Sequence, residues 1–247
     1  MSAAVLKGNL HYPRRRPIRT FLRASIAAIF SLLADFDVQG RSNLPDKGPL
    51  ILVGNHFSFL DPVALIHITP YPLEFLGGLR TPNAPAWTDV FRQAWGILPV
   101  RRGGSSRDSL NNAAGVLQQG GVLGIFPEGG SWAAVLRPPR PGTALLAVKT
   151  SAQVVPIGLD GLLDVFPRAR RGKRGRVTVR IGTPFGPFEN DPKIPLRKQM
   201  DQLGHEMMRR IAQLIPPERR GFYSDDPTIR EAARGTEIYP WDHVIEE

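Results

Sequence analysis

The chain has 247 residues, enough for one large domain or two small ones with a substantial core. Its 42% apolar share is ordinary for a folded protein, and the absence of cysteine excludes a disulfide framework, a thiolate metal site and a cysteine nucleophile. The net charge of +10 is concentrated at Arg14-Arg15-Arg16, Arg101-Arg102 and Arg168 to Arg176, which suits an anionic partner. No aromatic-rich strand motif, zinc finger or recognition helix accompanies these patches, so lipid headgroups or a phosphorylated substrate are favoured over nucleic acid.

From Pro17 onward, Ile18, Phe21, Leu22, Ser25, Ile29, Leu32 and Leu33 fall near helical spacing, with Pro17 suited to a first helical turn. Arg14, Arg15, Arg16, Arg19 and Arg23 surround its start. Residues 1–36 therefore read as a basic amphipathic segment, either lying in a membrane interface or covering the core behind a solvated arginine cluster. The apolar stretch from Ala24 to Phe36 is too short to span a bilayer and lacks a cleavage site. The expected setting is cytoplasmic and peripheral to a membrane, without a transmembrane span or signal peptide.

Gly40, Ser42, Asn43, Pro45, Asp46, Gly48 and Pro49 make residues 37–49 a turn-rich linker. Leu50 to Gly54 is a short buried strand. Asp61-Pro62 ahead of an apolar run predicts a helix to about Ile68, with Asp61 at the N-cap and Pro62 at N1. Further strands are expected at Leu73 to Gly77, Gly96 to Val100, Val122 to Phe126, Val154 to Gly158 and Arg176 to Gly182. Pro99 argues that its strand lies at a sheet edge. Helices are expected at Trp87 to Trp95, Arg107 to Gln119, Thr143 to Ser151 and Leu196 to Ile215. Strands separated by helices indicate an α/β layered domain over residues 37–215. Residues 216–247, charged and without clear periodicity, read as an extension packed on the surface or partly mobile.

The loop Asn55-His56-Phe57-Ser58-Phe59-Leu60-Asp61 follows the first buried strand and holds one imidazole and one carboxylate. In an ideal helix these two positions diverge, so they meet only if the loop turns His56 back onto Asp61. A carboxylate on one ring nitrogen fixes the tautomer and leaves the other to take a proton from a hydroxyl. Asp61 is equally accounted for as a helix cap. Phe126-Pro127-Glu128-Gly129-Gly130-Ser131 occupies the equivalent place after another buried strand, adding a carboxylate and backbone N–H groups open to close approach. Arg101-Arg102-Gly103-Gly104, also at a strand end, supplies guanidinium for phosphate. Asn55 and Ser58 complete the candidate substrate-binding set, although Asn55 also suits a loop-shaping role through its own hydrogen bonds. Gly129-Gly130-Ser131-Trp132-Ala133, followed by Asp160 or Asp164 and then His205, is a poor match to a serine-hydrolase elbow.

Four motifs in order resemble the 1-acyl-glycerol-3-phosphate acyltransferase family of glycerolipid acyltransferases. They are Asn55-His56 with Asp61, Gly96 to Arg102, Phe126-Pro127-Glu128-Gly129, and Val154-Val155-Pro156-Ile157. The resemblance runs over about residues 15–223. It implies a mixed, largely parallel central sheet flanked by helices, with His56 as general base and Asp61 orienting it. It implies further that Arg102 binds phosphate and that Glu128 and Gly129 contribute to acceptor binding. The acceptor would be a lysophospholipid, foremost lysophosphatidic acid, and the donor acyl-CoA or acyl-carrier protein, with an anionic membrane surface as partner and no metal or other cofactor. Other acyl acceptors, and a non-catalytic phosphate- or membrane-binding module, stay open as alternatives. The chain departs from the family pattern at Gly130-Ser131, where Thr and Arg are usual, and at Arg101, where an acidic residue is common.

Overall fold

Two adjoining hydrophobic cores, one on each face of a seven-stranded sheet, organise the molecule. They are seen in a computed structural model that describes residues 10–78, 84–85, 87–100 and 107–238. The strands are β1 (Ala34–Gln39), β2 (Leu50–Gly54), β3 (Glu74–Gly78), β4 (Leu98–Val100), β5 (Val122–Ile125), β6 (Gln153–Asp160) and β7 (Gly175–Ile181). Their spatial order is β1-β7-β6-β2-β5-β3-β4, and among these pairings only β6 with β7 is antiparallel. This is the mixed, largely parallel sheet that the family resemblance implies. Pro99 sits in the edge strand β4, where a missing N–H breaks no central ladder.

Strand β2 shows why the sheet has two covered faces. Leu50 and Leu52 enter one core with helices α1 (Arg16–Leu33), α2 (Asp61–Ile68), α3 (Trp87–Trp95) and α6 (Val165–Ala169). Ile51 and Val53 enter the other with α4 (Arg107–Gln118), α5 (Gly142–Thr150) and α7 (Leu196–Ala212). All five β2 residues are buried, the pattern of a strand covered by helices on both sides. Val53 of β2 pairs with Ile125 of β5 in parallel, so the loops leaving both strands emerge side by side at the same sheet end.

Two elements differ from the sequence reading. Ala34–Gln39, read as the end of a helical segment and the start of a linker, is the edge strand β1, aligned with β7 from Ala34↔Gly175 to Gln39↔Arg180. Helix α6 was not anticipated, because five residues are too few to show a period. The segment after Pro216 carries short turns and helix α8 (Pro227–Ala232), capped by Asp226 through Thr228 N–H. It is stitched to the body by Leu136 N–H donating to Arg219 O and Phe222 N–H to Leu136 O.

Helix α1 is oriented by charge. Glu74, fully buried at the start of β3, is paired with Arg14 and is held bidentately by Arg19 at 2.7 and 2.8 Å. Arg19 also donates to Trp95 O and lies over the Trp95 ring, while Arg23 donates to Thr69 O and Tyr71 O. These inward arginines turn the opposite side of the helix out, leaving Ile18, Phe21, Ile29 and Leu32 48–75% exposed. Among the described residues no helix is long and apolar enough to cross a membrane. Replacing Glu74 by Ala strands a buried guanidinium, and urea unfolding should show a loss of about 3–5 kcal/mol. A loss below about 1 kcal/mol would show that the pair does not anchor α1.

Candidate active site

The loop after β2 is wound around a single oxygen atom. Asp61 is 1% exposed, and its Oδ2 accepts from Phe57 N–H at 2.7 Å and Ser58 N–H at 2.7 Å and lies 3.0 Å from His56 Nδ1. The structure thus corrects the capping role: Leu60 is the N-cap of α2, Asp61 begins the helix, and its carboxylate points back into the preceding loop. Pro62 still fits the first turn, where no N–H is needed. Burial pushes the Asp61 carboxyl above its usual range, opposed by the His56 ring and the Ser58 and Phe57 N–H groups. Because Oδ2 already accepts two N–H groups, we assign the His56 proton to Nδ1, which leaves Nε2 as the proton-accepting nitrogen.

His56 is fixed from two further directions. Its ring stacks on Phe126 with centroids 4.3 Å apart and planes 22° off parallel. Its backbone N–H donates to Glu128 Oε1 at 2.7 Å. The imidazole retains 13% side-chain exposure, so it faces an accessible space rather than the core.

Glu128 is 1% exposed and is surrounded by donors from within the protein. Oε2 accepts from Arg137 N–H at 3.2 Å and from Arg137 Nε at 3.0 Å. Burial pushes this carboxyl up to about 7, against the Arg137 guanidinium and the His56 and Arg137 N–H groups. Gly129 has φ +84°, a left-handed conformation that glycine adopts without strain, and its N–H closes a turn onto Phe126 O at 3.0 Å.

The structure therefore brings His56, Asp61, Glu128 and Gly129 into one cluster, as the sequence motifs imply. Asn55 is completely buried, with Nδ2 donating to Leu159 O at 2.8 Å and Oδ1 accepting Leu159 N–H at 2.7 Å. It ties the end of β2 to β6. Ser58 Oγ accepts Leu60 N–H at 3.2 Å, stapling the same loop. Arg101 and Arg102 lie outside the described residues. His205 pairs with Tyr223 Oη at 2.8 Å and approaches Asp201 at 3.7 Å, so its ring partners are not Ser131.

A small cleft opens beside Asp61, lined among others by Ser58, Asp160, Gly161, Asp164 and Arg219. It is lined by neither His56 nor Glu128, so it adjoins the dyad from the Asp61 side. Phe126 belongs to the third motif and Arg219 lies far along the chain, but nothing in the sequence shows that one stacks on His56 or that the other reaches the Asp61 cleft. Among the described residues no group of three or more His, Asp or Glu side chains is placed to hold a metal ion.

A family model described as Acyltransferase matches residues 35–160, just over half of the chain. The chain belongs to the acyltransferase family. The match begins in β1 and ends at the last residue of β6, so it takes in both loops of the cluster. The chain is 31% identical over 150 residues to the chloroplastic 1-acyl-sn-glycerol-3-phosphate acyltransferase BAT2 of Brassica napus, covering 59% of this chain and 43% of that protein. It is 30% identical over 186 residues to a 1-acyl-sn-glycerol-3-phosphate acyltransferase of Chlamydomonas reinhardtii, covering 72% and 52%. It thus spans about half the length of these two relatives. The fold is shared with the crystal structure of the 1-acyl-sn-glycerophosphate acyltransferase PlsC of Thermotoga maritima, with a TM-score of 0.54, 22% identity, and coverage of 78% of this chain and 81% of that one.

The Asn55 bridge is open to direct test. Asn55→Ala leaves the buried Leu159 N–H and C=O without their partners and should lower stability by about 1–3 kcal/mol. A thermal melt unchanged from the parent protein would remove Asn55 from the scaffold of the site.

Proposed function

We propose that this protein transfers a fatty acyl group from a thioester donor to the free hydroxyl of lysophosphatidic acid, giving phosphatidic acid. The observation that carries this reading is the approach of His56 Nδ1 to Asp61 Oδ2, with the other ring nitrogen left for the acceptor. His56 Nε2 takes the hydroxyl proton as the oxygen attacks the thioester carbonyl carbon. Negative charge gathers on the carbonyl oxygen of the tetrahedral intermediate and needs hydrogen-bond donors there. Collapse breaks the C–S bond, and the proton held on Nε2 passes to the departing thiolate. The products are the ester and a free thiol, and the imidazole returns to its starting state. Acyl-CoA and acyl-carrier protein both supply such a thioester, and this step uses no metal or other cofactor.

In this proposal Arg102, with Arg101 beside it, binds the acceptor phosphate, as the resemblance of the second motif implies. Glu128 and Gly129 shape the acceptor side of the crevice. Purified protein given labelled acyl-CoA or acyl-carrier protein, with lysophosphatidic acid among a panel of acceptors, should form labelled phosphatidic acid. His56→Ala and Asp61→Asn should each reduce kcat by about 100-fold to 10,000-fold. Absence of transfer by the parent protein with either donor and every acceptor would overturn the reading.

A membrane surface is the natural site for such a lipid acceptor. The outward face of α1 offers Ile18, Phe21, Ile29 and Leu32, an apolar strip on a helix of a basic protein. In the proposal this face lies in the headgroup region of an anionic bilayer. Phe21→Glu with Leu32→Glu should weaken co-sedimentation with phosphatidylglycerol-containing vesicles by at least about tenfold. Equal binding by the double variant would move the membrane contact away from α1.

A further inference from the structure

Glu128-Gly129 is followed by Gly130-Ser131, so the next cation along this loop is Arg137. Arg137, further along the same loop, is 1% exposed. Its Nε and its backbone N–H both reach Glu128 Oε2, and its Nη2 donates to Gly130 O and lies 3.5 Å from His56 O. A buried guanidinium is tolerated only where acceptors surround it, and here those acceptors belong to the His56 loop and the Glu128 loop. The guanidinium carbon also lies 3.8 Å from the centre of the Trp132 ring. Trp132 is fixed in turn, its Nε1 donating to Thr236 O at 2.8 Å in the C-terminal segment.

We propose that Arg137 is a positioning residue for the His56–Asp61 pair. It aims Glu128, and Glu128 Oε1 holds the backbone N–H of His56, which sets the imidazole against Asp61. Trp132, anchored on Thr236 O, keeps the guanidinium plane in register with both loops. Lysine cannot substitute, because a single ammonium lacks the planar fork that serves Glu128, Gly130 and His56 together. The inference rests on the acyl-transfer reading of His56, but its structural half does not need a substrate.

Arg137→Lys, Arg137→Gln and Trp132→Phe test it with two readouts. Amide hydrogen exchange at His56 reports the Glu128 bond in the substrate-free protein, and steady-state kinetics separates kcat from KM. In Arg137→Lys the His56 amide should exchange at least about tenfold faster, and kcat should fall by about 100-fold with acceptor KM within about twofold. Trp132→Phe keeps a ring over the guanidinium but loses the bond to Thr236 O. It should show the same pattern with a kcat loss of about fivefold to tenfold. Because it is the mildest change, Trp132→Phe decides the matter if the Arg137 variants do not fold. Parent-like exchange and kcat in Arg137→Lys, or in Trp132→Phe, would overturn the proposal, as would a loss confined to KM. If the parent protein transfers no acyl group, the functional reading fails while His56 exchange still tests the positioning role.

Discussion

The site depends on a carboxylate that has been taken out of water. Asp61 is buried at the start of α2, and a buried carboxylate needs donors. Its own loop meets that demand: two consecutive backbone N–H groups and the His56 imidazole converge on Oδ2. The His-x4-Asp spacing then has a physical meaning. The intervening residues are just enough to carry the chain once around the acid and bring the base back onto it. The ring is held through Nδ1, which directs Nε2 away from the carboxylate and gives the imidazole a preset role as a proton acceptor.

The same requirement shapes two other parts of the molecule. Glu128, buried beside the dyad, draws the His56 N–H and Arg137 to its two oxygens and so joins the loops that follow β2 and β5. Glu74, buried at the start of β3, draws Arg14 and Arg19 inward from the N-terminal region. That ion pair, with Ile26 and Phe30 buried in the core, sets which side of α1 meets solvent. Three carboxylates without water thus account for the base, for the junction between the catalytic loops, and for an apolar helix face turned outward. The parallel sheet supplies the framework, since adjacent parallel strands release their loops at one end.

Much of this was legible in the sequence where the signal was local. Apolar runs ending in Asn55 and Pro127 marked β2 and β5, and the turn residues after them marked the two loops. Pro99 correctly indicated an edge strand because a missing N–H has the same consequence in any context. Other features depended on residues far apart in the chain. Nothing near Arg19 indicates that Glu74 is its partner, so the sequence leaves the helix between a membrane interface and a cover for the core, and neither alternative places its arginines inward. Strand β1 carries the period-two signal, with Ala34, Phe36 and Val38 alternating with Asp35, Asp37 and Gln39, but it follows the helical spacing without a break and its partner β7 lies far away in sequence. Asp61 before Pro62 read as a cap because residue type and position suit one. Only the bend of the loop reveals that the carboxylate faces the other way.

The central claim is that Asp61 fixes the tautomer of the His56 ring, with the proton on Nδ1 and Nε2 left to accept one from a hydroxyl. Nitrogen-15 NMR of histidine-labelled protein, recorded at a pH where the ring is neutral, reads the tautomer at His56 directly. The account predicts a protonated Nδ1 and an unprotonated Nε2 in the parent protein, and loss of that preference in Asp61→Asn. A proton resident on Nε2, or a tautomer indifferent to Asp61, would contradict it.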